Sequence, residues 1–79
     1  MIAGALALRR RRRVAEDAIA AYLAWWQECN GVRAAYRAWL SAPRDSAAFA
    51  FRDYSAALER EARAAEMYAA QARRIARLA

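Results

Sequence analysis

Histidine and lysine are absent from these 79 residues; cysteine and proline occur once each and glycine twice. Without histidine the chain lacks the usual general base at neutral pH. Without a second cysteine it has no internal disulfide, and a small unstapled chain suits a reducing compartment. With two glycines and one proline there is little material for turns, and no glycine-rich phosphate loop. Long apolar runs are missing too. The opening MIAGALAL is far too short to span a bilayer. It precedes its arginines, whereas a signal peptide puts the charge first. The expectation is a cytoplasmic, non-catalytic protein with no cofactor and no metal site. Glu59, Glu66 and Asp53 read as a solvated stripe rather than as ligands.

What is present is alanine, 25 residues of it, and arginine, which supplies all 14 cations. Alanine is the strongest helix former. The formal charge is +6, and it is local: Arg9, Arg10, Arg11, Arg12 and Arg13 carry almost all the excess. Small size and an alanine–arginine bias fit an accessory protein of a phage or mobile element in a GC-rich host.

From residue 15 the apolar residues recur in alternating steps of three and four: Ala15, Ala18, Tyr22, Trp25, Cys29, Val32, Tyr36, Trp39. That is a heptad seam, widened by Ile19, Trp26 and Leu40. The phase runs through Asn30-Gly31 without slipping, which predicts one helix over about 13–41 and no turn there. A break at that dipeptide is the alternative. The segment 42–45, holding Pro43, reads as the loop, with Asp45 or Ser46 capping the second helix. That helix is predicted over about 46–78, with Phe51, Leu58, Ala65 and Ala72 in one seam position and Tyr54, Glu61, Tyr68 and Ile75 in the other. Ala50, Ala57 and Ala64 read as small flanking residues. Residues 1–13 are expected to form a basic, flexible or fraying arm, and 14–79 the hairpin.

The fold class is therefore all-α, an antiparallel two-helix hairpin with heptad-like seams. The apolar face of the first helix spans about 140°, more than one neighbouring helix covers, so dimerisation into a four-helix bundle is expected. The expected interface for a second copy or a protein partner is Ile19, Tyr22, Trp25, Trp26, Val32, Tyr36, Trp39 and Leu40. Glu61 needs a partner of its own: either Arg33 reaches it from another chain, or it turns to solvent. Antiparallel pairing also gathers Arg9 to Arg13 with Arg73, Arg74 and Arg77 at one end. That cluster is the expected anion site, with nucleic acid as the alternative function and an anionic membrane surface a weaker reading. A solvated basic tail accounts for the same residues without any ligand.

Overall fold

The computed structural model describes residues 2–78. Met1 and Ala79, the outermost residues of the expected arm and hairpin, lie outside them. Helix α1 runs Ile2–Leu40, a short 3-10 turn spans Arg44–Ser46, and helix α2 runs Ala47–Leu78. There is no strand among the described residues. The chain is an all-α antiparallel hairpin, 67 Å long and 14 Å in each cross-section.

Helix α1 starts about three turns earlier than the sequence pattern predicts. Ala3, Ala5, Leu6, Ala7 and Leu8 are good helix formers, and so is arginine. Once the packed part of α1 has nucleated, such a segment extends the helix at little further cost. Asn30-Gly31 lies inside α1 with no positive φ, so the helix is continuous there. At its end Ser41 N–H donates to the Arg37 carbonyl at 3.1 Å and Ala42 N–H to the Trp39 carbonyl at 3.2 Å. The Ser41 hydroxyl also donates to the Arg37 carbonyl, at 3.0 Å. Pro43 then stops the helix by disfavouring helical backbone at Ala42.

The expected side-chain cap from Asp45 or Ser46 does not form. The Ser46 hydroxyl instead donates back to the Pro43 carbonyl at 3.3 Å, beside the backbone bond Ser46 N–H to Pro43 O at 3.0 Å. The 3-10 turn thus uses the Ser46 hydroxyl as a donor to Pro43, which takes it away from capping.

The core is small. Val14, Ala18 and Ala57 are buried, with Ala57 only 1% exposed. These positions correct the predicted seam. On α1 the line 18, 25, 32, 39 faces α2 as predicted. Beside it, 14, 21, 28 and 35 are more covered than the predicted companions 15, 22, 29 and 36: Cys29 is half-buried, while Tyr22 and Tyr36 meet Tyr68 and Tyr54 from the rim and remain exposed. On α2 the line 54, 61, 68 also holds, but its companion is 50, 57, 64, 71 instead of 51, 58, 65, 72. The alanines expected to flank the seam form it. Small side chains let two helix backbones approach closely, and the bulky neighbours are displaced to one side.

Candidate functional site: an unpartnered aromatic face and a basic end

Across the seam the pairs Tyr22–Tyr68, Tyr36–Tyr54, Trp39–Phe51, Asp17–Arg74 and Glu28–Arg60 have residue numbers that sum to about 90. This register gives the hairpin two unlike faces. One carries a shallow groove lined by Asp17, Ala21, Glu28, Arg60, Met67 and Gln71, among others. Two ion pairs bridge the helices on this side: Arg60 to Glu28 at 3.4 Å and Arg74 to Asp17 at 3.2 Å. Both pairs are partly exposed and contribute little, about 0–1 kcal/mol each. Arg74 also donates to Gln71 Oε1 at 2.6 Å.

The opposite face is apolar. A groove lined by Ala15, Ala18, Ile19, Tyr22, Tyr68, Ala72 and Ile75 runs along it. Residues seven apart share a face, so it continues through Trp26 and Leu40 on α1 and through Phe51 and Leu58 on α2. Ile19 is 61% exposed, Trp26 54% and Leu40 65%. Tyr22, Tyr36, Phe51, Leu58 and Ile75 are between 41% and 48% exposed. A contiguous surface of that size is unusual on a small monomer.

The eight residues expected at the interface therefore divide. Trp25 stacks on Tyr68 with ring centroids 5.7 Å apart, and Trp39 stacks on Tyr54 at 5.5 Å. These two, with half-buried Val32, belong to the seam within the chain. Ile19, Tyr22, Trp26, Tyr36 and Leu40 remain on the open face. The sequence pattern missed Phe51, Leu58 and Ile75 as members of this face, having placed them in the seam.

Glu61 has its partner inside the chain. Trp25 Nε1–H donates to Glu61 Oε1 at 2.8 Å, and the Cys29 thiol approaches the same oxygen at 3.9 Å. Glu61 therefore neither turns to solvent nor waits on Arg33 for a hydrogen-bond partner. Arg33 is exposed and forms no ion pair within 4.0 Å among the described residues.

At the far end, α1 continues past the described end of α2 by about 15 Å, taking 1.5 Å per residue. Arg9 to Arg13 lie on this projecting helix and its base, all exposed. Arg10, Arg11 and Arg77 line a groove with Ala3, Leu6, Ala7 and Leu78. Arg73 is exposed on the outer side of α2, while Arg74 is engaged by Asp17. The expected gathering of arginines from both ends of the chain thus occurs for Arg10, Arg11 and Arg77.

No group of three or more His, Cys, Asp or Glu among the described residues is placed to hold a metal ion. No described helix is long and apolar enough to cross a membrane. Comparisons with family models, curated proteins and solved structures find no match, so function is read from the geometry alone.

Proposed function

We propose that this chain is a non-catalytic assembly module, a helical hairpin that acts by pairing through its aromatic face, with a dimer closing as a four-helix bundle. The observation that carries this is the imbalance of burial. Among the described residues three are buried, while eight large apolar side chains stay at least 41% exposed on one side. A marginal core of this kind gains most of its stability from a neighbour that removes those side chains from water. Light scattering or sedimentation at micromolar concentration tests it: a mass of twice 8.9 kDa or more is expected, and a clean monomer overturns the homo-oligomeric form of the reading.

A second reading has its own observation. The groove holding Arg10, Arg11 and Arg77 presents guanidinium groups from both ends of the chain, a geometry that suits phosphate oxygens. On this reading the module also holds a polyanion such as nucleic acid. Titration of DNA and of RNA at two salt concentrations tests it, since phosphate contacts give an affinity that falls steeply with salt. Affinity unchanged after removal of residues 1–13 overturns it.

A further inference from the structure

The aromatic face is uneven in a way that selects its occupant. Its outer edge on α1 is large: Ile19, Trp26, Arg33 and Leu40, each seven residues from the next. Its outer edge on α2 is small: Ser55, Ala62, Ala69 and Ala76, again seven apart. A surface with a ridge on one side and a trough on the other is complementary to itself under a two-fold axis parallel to the hairpin. That rotation lays α1 of each copy on α2 of the other. The register within the hairpin places Trp26 level with residue 64 and Ile19 level with residue 71. Trp26 then sits over Ala62 and Ala65 of the partner subunit, and Ile19 over Ala69 and Ala72 of the partner subunit. All neighbouring helices in the resulting bundle run antiparallel, the arrangement that helix dipoles favour.

Charge points the same way. Between residues 15 and 75 only Arg33 and Glu61 take charged positions on this face; the other acids and arginines fall on the ion-paired side, the outer backs of the helices or the loop. Arg33 is level with residue 57, so Glu61 is about 6 Å away along the axis, one helical turn. With an interaxial spacing of about 8–10 Å, the arginine and glutamate side chains must both extend to meet; Glu61 Oε1 accepts from Trp25 Nε1–H within the chain, so Arg33 would pair through Oε2. The area is adequate as well. Half-exposed aromatic and large aliphatic side chains each leave on the order of 100 Å² open. Eight of them offer roughly 800 Å², which is what one partner contributes to a standard interface.

We infer that the occupant of the aromatic face is a second copy of this chain, docked about a two-fold axis parallel to the hairpin, with Trp26 seated on the alanines of α2 and Arg33 paired with Glu61 across the interface. This rests on the assembly reading above and adds the face, the axis and the charge pair. A different protein partner would have no need of a ridge and a trough that match each other.

The test combines mass with distance. Spin labels at Arg44→Cys, in a Cys29→Ser background, mark the loop of each copy. With the axis parallel to the hairpin, both loops lie at the same end, and the labels should be under about 30 Å apart in a bundle of this cross-section. A perpendicular axis puts them at opposite ends of a body about 67 Å long. Trp26→Glu should abolish the dimer by mass, and with it much of the helix signal in circular dichroism, because Trp26 is 54% exposed in the single chain and is covered only by the second copy. Gln27→Glu, the same added charge one residue on and off this face, should leave the dimer intact. Arg33→Glu should weaken dimerisation at least about ten-fold, by setting like charges together. A dimeric mass with distant labels overturns the inference and leaves the assembly reading standing, as does a dimer lost in Gln27→Glu but kept in Trp26→Glu. A monomeric mass for the unaltered chain at high concentration overturns both.

Discussion

Ala57 marks the point where the two helices have no room to spare: a residue whose side chain is one methyl group is 1% exposed. Leucine there adds three carbon atoms between backbones held close by alanine on both sides of the seam. Overpacking of this kind costs about 1–3 kcal/mol, so Ala57→Leu is expected to reduce the unfolding free energy by that amount, read as a lower urea midpoint at unchanged slope. Trp25 tests a different contact. Its ring stacks on Tyr68 while its Nε1–H meets the Glu61 carboxylate, so Trp25→Phe removes the hydrogen bond together with part of the ring's packing. Phenylalanine keeps an aromatic ring at the stack and removes the donor. A hydrogen bond to a charged group contributes about 1.5–3 kcal/mol, and the same unfolding measurement should register a loss of at least that size. A loss near zero would mean that water replaces the indole at Glu61.

At the scale of the helix, Gly31 is the weakest link in α1. It is helical, has no positive φ, and a Cβ built on it meets nothing within 4 Å. Nothing in the hairpin therefore requires glycine. Gly31→Ala should stabilise the chain by about 1 kcal/mol, which raises Tm by roughly 4–8 °C in a domain of this size. A fall instead would mean that the bare backbone at residue 31 is used by a partner. The continuity of α1 through Asn30-Gly31 was legible in the sequence because the heptad phase does not reset there. The loop at Pro43 was legible because proline acts locally. The choice between lines 14, 21, 28, 35 and 15, 22, 29, 36 was not. Large apolar residues attract the eye to one line, while close packing rewards alanine on the other. Ala21 and Ala35 look no different in sequence from the other alanines. The helical state of residues 2–13 was hidden for another reason: five successive arginines suggest a solvated arm, but arginine and alanine both carry high helix propensity, and attachment to a packed helix removes the nucleation cost.

The whole molecule is a rod with one face bridged by two ion pairs and the other left apolar, and its charge excess sits at one end. These features bear on each other. Pairing two hairpins about a parallel axis brings two sets of Arg9 to Arg13 to the same end, and their mutual repulsion opposes the packing of the aromatic faces. Added salt, or a polyanion, should therefore strengthen the assembly. Antiparallel counting anticipated only that Arg10 and Arg11 come near Arg77, whereas the open face emerged only once the alanine lines were seen to form the seam. Because the hairpin's own core is three small residues, folding and association should be one transition rather than two. Tm should then depend on concentration. For a two-state dimer each tenfold increase in protein adds about 1.4 kcal/mol to the stability per dimer. At about 2–4 °C per kcal/mol for a body of that size, Tm should rise by roughly 3–5 °C per decade of concentration. Calorimetry or circular dichroism across two decades measures this directly. A Tm that stays flat below the concentration at which the dimer dissociates would show that the seam alone, Val14, Ala18 and Ala57 with the Trp–Tyr stacks around them, is enough to fold the hairpin.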